Sequence, residues 1–148
     1  MFNIITKSAP ETEEFAERFA KKLPGDGAVI ALYGGLGMGK TAFVRGLAKG
    51  LGLNTEVTSP TFALVHDYGG KPPLYHFDMY RVESWDSLYS TGFFDYLDNG
   101  AYLAVEWSEN IENILPDSRI DVTVERHGGD NERMITVKGV GLFADFSC

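Results

Sequence analysis

The stretch "GGLGMGKT", Gly34 to Thr41, directly follows the apolar run "AVIALY", Ala28 to Tyr33, and precedes "AFVRGLAKGLGL", Ala42 to Leu53. Six residues unbroken by charge suit a central strand covered on both faces, as in parallel sheets. Phe43, Leu47 and Leu51 recur every four residues, the spacing of one helix face. Between such a strand and such a helix, the pattern G-x-x-x-x-G-K-[ST] reads as a phosphate loop. Glycines let the backbone turn its N–H groups inward as a nest, at a helix N-terminus whose dipole already favours negative charge. Lys40 adds a point charge that reaches β- and γ-phosphates, and the Thr41 hydroxyl is placed to bind Mg²⁺ bridging them. Gly34, Gly35, Leu36, Gly37, Met38, Gly39, Lys40 and Thr41 are therefore the expected nucleotide-binding residues. The bland alternative is a glycine-rich turn, and the strand and helix on either side argue against it.

Working outward, "FNII" is a short strand, and Ser8 with Glu11 has the spacing of a capping box, with Pro10 in the first helical turn. Phe15, Phe19 and Leu23 give that helix one apolar stripe, and Pro24, Gly25 and Gly27 end it. "FALVHDY" and "LYHFDMY" flank "GGKPP" as a hairpin or closely spaced strand pair. "SWDSLYSTGFFDYLDNG" reads as helical in pieces, "AYLAVEW" as a second buried strand, and "SENIENIL" as a short helix stopped by Pro116. "IDVTVER" and "RMITVK" form a terminal hairpin around "HGGDN", and Ile120, Val122 and Val124 alternate with polar residues as in a sheet with one wet face. These elements predict a three-layer, P-loop NTPase-like α/β fold, with a mostly parallel central sheet and additional antiparallel strands.

The chain has 148 residues and 44% hydrophobic content, which fits one domain spanning 1–148. Its formal net charge of -8 repels a polyanion such as tRNA or DNA unless a basic patch or a partner intervenes. Cys148 is the one cysteine, so neither an intrachain disulfide nor a multi-cysteine metal site is available. No window approaches the roughly 18 apolar residues of a membrane span, and "MFNIITKSAPETEEF" lacks a signal-peptide pattern. A soluble, untargeted protein of the cytoplasm is the expectation.

A phosphate loop binds but does not by itself hydrolyse; a carboxylate must fix the Mg²⁺ shell and something must orient a water. Glu106 closes the run "AYLAV", where an open α/β sheet offers residues to a ligand. Asp78 sits in "LYHFDMYR". Each is equally at home as a surface or capping carboxylate, and the phosphate loop is what raises both to candidates.

In this order, "GGLGMGKTAFVRGLAKGLG", "VTSPTFALVHDY", "LYHFDMYR" and "AVEWSENI" resemble the TsaE (YjeE) family of bacterial P-loop ATPases. The resemblance runs from the first helix to the terminal hairpin. It implies ATP on Gly34 to Thr41, with Lys40 on the phosphates and Thr41 on Mg²⁺. Glu106 then resembles the family's second metal-site residue, with Trp107 in the same motif, and Asp78 its other functional acid, holding a metal-bound or attacking water. The "TSPTF" loop, Thr58 to Phe62, takes the place of a switch segment, with Thr61 sensing the γ-phosphate. Arg133 is placed beside the base or ribose. The resemblance further implies ATP hydrolysis in support of threonylcarbamoyladenosine synthesis in tRNA, with TsaB and TsaD as partners and tRNA met through them. The family's loop commonly reads "GDLGAGKT"; here Gly35 removes an acid from the lip of the site and Met38 replaces alanine. A small-molecule kinase on the same loop and a non-hydrolysing nucleotide-responsive adaptor are the rival readings.

Other residues have plainer readings. His66 and His76 lack a third ligand at zinc spacing and read as hydrogen-bonded strand residues. Arg45, one turn into a helix, reads as solvated or paired, whereas Arg81, three positions after Asp78, is a candidate for stabilising phosphate charge. Tyr68, Tyr75, Tyr80, Phe93 and Phe94 read as packing, since no basic groove accompanies them.

Overall fold

The computed structural model describes residues 1–35, 39–54, 57, 65–79, 92–97, 100–108 and 111–146, excluding the side chains of Phe94 and Leu97. Their elements run β1 (Phe2–Thr6), α1 (Ala9–Ala20), β2 (Ala28–Tyr33), α2 (Lys40–Gly50), β3 (Val65–Gly70), β4 (Pro73–Asp78), α3 (Phe93–Leu97), β5 (Tyr102–Glu106), β6 (Arg119–His127) and β7 (Gly129–Val140). The strands form one sheet in the order β1-β7-β6-β2-β5-β4-β3. Its centre, β6-β2-β5-β4, is parallel, while β1 and β7 on one side and β3 on the other are added antiparallel. This is the mixed sheet the sequence pattern predicts.

Period-two alternation assigns the faces. Ile30 and Leu32 of β2 join Phe15, Phe19, Phe43 and Leu47 in the core under α1 and α2. Val29 and Ala31 point the other way, into a second core with Phe77, Phe93, Leu103 and Val105. β2 is therefore covered on both sides, as its unbroken apolar run requires. Among the described residues β6 and β7 contribute Ile120, Val122, Val124, Ile135 and Val137 to the first core and nothing to the second, so their opposite face is the wetter one.

Local chemistry fixes the helix ends. Ser8 Oγ accepts from Glu11 N at 3.2 Å, and Glu11 Oε1 accepts from Lys7 N at 3.2 Å, one residue before the cap. α2 closes on Gly52 at φ 80°, with Gly52 N donating to Lys49 O and Leu53 N to Ala48 O, the paired bonds of a left-handed helix terminus. α1 and α2 cross at backbone distance: a Cβ on Gly46 would lie 2.7 Å from Ala16 Cβ, and one on Gly50 would lie 2.5 Å from Ala20 Cβ. Glu13 of α1 then pairs with Arg45 and Lys49 of α2, so Arg45 is a paired surface residue.

Two expectations are corrected in detail. The helix expected in "SENIENIL" is 3₁₀ among the described residues, at Ser108 and over Glu112–Ile114. Pro116 forces the preceding Leu115 to extended backbone, ψ 148°, which leaves no room for an α-turn. The terminal hairpin is longer and tighter than "IDVTVER" and "RMITVK": its strands reach His127 and start again at Gly129. Most of the segment "SWDSLYSTGFFDYLDNG" lies outside the described residues, as do Tyr80, Arg81 and Cys148; within that segment Phe93–Leu97 is helical.

Candidate phosphate and carboxylate site

The site is assembled where the carboxyl ends of β2, β4 and β5 meet the start of α2. Gly34 at φ 135° and Gly39 at φ 101° hold left-handed backbone that a Cβ would strain, and they bracket the loop. Gly39 is the N-cap of α2 and contributes no side chain to it, and no acid sits in the first turn. The first N–H groups of that turn have no carbonyl within the helix to bond, and they lie at the positive end of the helix dipole. Lys40 is 5% exposed; its Nζ donates to Gly34 O at 2.7 Å and lies 4.0 Å from the centroid of the Trp107 ring. Thr41 follows, half-buried. Leu36, Gly37 and Met38 lie outside the described residues, as do the "TSPTF" loop and its Thr61.

β5 pairs with β2 and β4 at once. Ala31 is level with Val105, and Asp78 with Glu106. Leu74, His76 and Asp78 alternate onto one face of β4, and Tyr102, Ala104 and Glu106 onto the same face of β5. Leu74, Tyr102 and Ala104 belong to the core beneath α1 and α2, so both acids are carried on the face of the sheet that α2 covers. Met79 N donates to Glu106 O at 3.0 Å, closing β4 against β5 just past the acids. Trp107, the next residue, has φ 60°, an outlier for a bulky side chain. This turn brings the indole to Lys40. The sequence-predicted Lys40, Asp78, Glu106 and Trp107 therefore share one edge of the sheet.

Glu106 is 5% exposed and His76 fully buried. His76 Nε2 and Glu106 Oε2 lie 2.5 Å apart, His76 Nδ1 and the Tyr68 hydroxyl 3.0 Å, and that hydroxyl and His66 Nδ1 3.3 Å. With His76 neutral and Glu106 a carboxylate, one arrangement of protons satisfies these three contacts. His66 Nδ1–H donates to the Tyr68 oxygen, Tyr68 O–H donates to His76 Nδ1, and His76 Nε2–H donates to Glu106. The two histidines are hydrogen-bonded strand residues as expected, but Tyr68 does more than pack. Sequence reading left His76 unconnected to Glu106. The available signal was a histidine two residues from Leu74 on a core-facing row, where a polar ring needs a partner.

Arg133 sits on β7 opposite Arg126, its guanidinium donating to Asp130 O at 2.6 Å and Glu132 O at 2.8 Å. Thr123 of β6 is level with Tyr33, the last residue of β2, so the hairpin beyond it rises past the phosphate loop. A Cβ on Gly39 would lie 3.8 Å from Val124 Cγ1.

Tyr33 leads directly into the loop. Burial first, and the Asp121 charge second, push its phenol up to about 12. Burial also raises Tyr75 and Tyr102, and the Tyr102 hydroxyl donates to Pro24 O.

Comparison with known proteins follows the same lines. The family model for threonylcarbamoyl adenosine biosynthesis protein TsaE matches residues 6–135. The tRNA threonylcarbamoyladenosine biosynthesis protein TsaE of Bacillus subtilis is 41% identical over 147 residues, covering 97% of this chain and 89% of the relative. Its counterpart in Treponema pallidum is 36% identical, over 90% of this chain and 97% of the relative. A crystal structure of Bacillus subtilis YdiB superposes with a TM-score of 0.79 at 34% identity, covering 97% of this chain and 88% of that one. With the family model matching most of the chain, relatives at 36% and 41% identity and a shared fold, the chain belongs to the TsaE family.

Proposed function

We propose that this chain is a Mg²⁺-dependent ATPase that serves threonylcarbamoyladenosine synthesis in tRNA together with TsaB and TsaD. The observation that carries the nucleotide reading is the placement of Lys40. A lysine at the N-terminus of a helix is electrostatically misplaced, because the dipole there is already positive. Its burial beside a glycine-bracketed loop makes sense as a receptor for a strongly anionic group, and a triphosphate supplies one.

The residues present fit the metal as well. Mg²⁺ asks for one or two carboxylates, a hydroxyl, waters and phosphate oxygens, with no all-protein cage. Thr41 and Glu106 would hold it, with Asp78 on the neighbouring strand. When bound, Mg²⁺ would supply neutralisation of phosphate charge. Loop amides and Lys40 bind and orient the triphosphate and meet the charge that develops as water attacks the γ-phosphoryl. Asp78 orients that water. Thr61 senses the γ-phosphate, and Arg133 lies beside the base or ribose.

The pathway is supported by family membership and by the names of the relatives. With a net charge of -8 the chain meets tRNA through TsaB and TsaD instead of gripping it alone, and it works in the cytoplasm. Among the described residues no helix is long and apolar enough to cross a membrane.

Purified chain with TsaB, TsaD, tRNA, ATP and Mg²⁺ tests this. Lys40→Ala and Glu106→Ala should each abolish multiple-turnover modification and phosphate release. Full activity in both overturns the catalytic assignment, and sustained turnover on a non-hydrolysable ATP analogue replaces the ATPase with an adaptor.

A further inference from the structure

We infer that His76 is a positioning residue for Glu106, held in a single tautomer by Tyr68, and that this arrangement sets which oxygen of Glu106 serves the metal. The inference rests on the metal-site reading of Glu106 given above, and deepens it.

Three facts carry it. First, His76 is fully buried and Glu106 nearly so, and Nε2 and Oε2 are in hydrogen-bond contact at 2.5 Å. A carboxylate so enclosed must be matched by a donor, and His76 Nε2 is that donor. Second, the bond occupies Oε2, which assigns Oε1 to the ligand side. A glutamate side chain has three rotatable bonds, and fixing one oxygen removes most of the freedom to present the other wrongly. Third, His76 is itself fixed. The Tyr68 hydroxyl lies 3.0 Å from Nδ1, and with its O–H donated there the ring proton is on Nε2, facing Glu106.

The backbone supports the same arrangement. β3, β4 and β5 are adjacent strands, with His66 level with His76 and His76 level with Ala104. The relay therefore crosses the sheet from its edge strand to the carboxylate, through side chains mounted on three rigid elements. Outer partners of this kind typically change metal affinity or turnover 10- to 100-fold when removed.

The experiment compares His76→Leu, His76→Gln, Tyr68→Phe and Glu106→Ala in the full chain. Mn²⁺ affinity, measured by electron paramagnetic resonance with a non-hydrolysable ATP analogue, is read beside kcat and ATP KM. His76→Leu should weaken Mn²⁺ binding and lower kcat by about 10-fold or more, with metal-free nucleotide affinity unchanged. His76→Gln, whose amide offers a donor near the place of Nε2, should restore most of the loss. Tyr68→Phe, which leaves Nδ1 unsatisfied, should fall in between.

If His76→Leu does not fold, Tyr68→Phe decides: wild-type metal affinity and kcat in that variant overturn the positioning role. With a folded leucine variant, wild-type values in it, or no rescue of either quantity by glutamine, overturn it. Should Glu106→Ala itself keep full Mn²⁺ affinity, the metal-site reading fails, and this inference fails with it. Loss in Glu106→Ala but not in the His76 and Tyr68 variants sinks the inference alone.

Discussion

Lys40 Nζ stands 4.0 Å from the centroid of the Trp107 ring while donating a hydrogen bond to Gly34 O. The ammonium that should grip phosphate is engaged by the loop's own carbonyl and by an indole whose backbone sits at φ 60°. Contacts of lysine with tryptophan faces are worth about 0.5–2 kcal/mol, depending on desolvation. A triphosphate outcompetes them easily, so binding should draw the cation away from the ring.

Trp107 emission is the measure of that movement. In a Trp85→Phe background, Trp107 fluorescence should change saturably with ATP and Mg²⁺. The change should vanish in Lys40→Ala. A nucleotide titration that reaches saturation by calorimetry with no change in emission would show that Lys40 stays over the ring.

The α1–α2 crossing gives a prediction about sign. Replacing a mid-helix glycine by alanine ordinarily stabilises by about 0.5–1 kcal/mol. At Gly46 the new Cβ meets Ala16 Cβ at 2.7 Å and backbone of Glu13, and overpacking costs about 1–3 kcal/mol. Overlap outweighs propensity, so Gly46→Ala should lower the urea midpoint, and Gly46→Val should lower it further. A midpoint that rises for Gly46→Ala would mean the helices part without cost. ATP affinity is worth measuring on the same variants, because α2 begins at Lys40.

Alkaline stability follows from the tyrosines. Tyr33 is raised to about 12, chiefly by burial, and Tyr75 and Tyr102 are raised for the same leading reason. A phenol harder to ionise in the folded state contributes stability that is whole below the unfolded value of about 10. That contribution drains away as pH rises from about 10 toward 12. Chemical denaturation between pH 8 and 12 should show this decline, and Tyr33→Phe should flatten part of it. An equal slope in the variant would assign the decline elsewhere.

Much of this was legible in the chain because the signals are local. The capping box at Ser8, the strand-turn-helix around Gly34 to Thr41, and the alternation in β6 each depend on residues a few positions apart. The link between His76 and Glu106 spans 30 positions and depends on β4 lying parallel to β5. No local pattern encodes that pairing. The same holds for the Trp107 ring, whose contact with Lys40 follows from an unusual backbone angle that its neighbours in sequence do not announce. Position along the chain raised both acids as candidates and the family resemblance gave them roles; the register explains why Asp78 and Glu106 stand side by side.

The sheet is upholstered unevenly. Among the described residues, its β2-β5-β4 half is packed from both sides and carries the acids, while β1, β7 and β6 are packed from one side only. Fraying should therefore start at the outer hairpin and edge strand, where solvent already touches one face. Lys40 begins α2 just past the end of β2, the strand where the two halves meet, so the wall on the β6 side can loosen without disturbing the seats of Asp78 and Glu106.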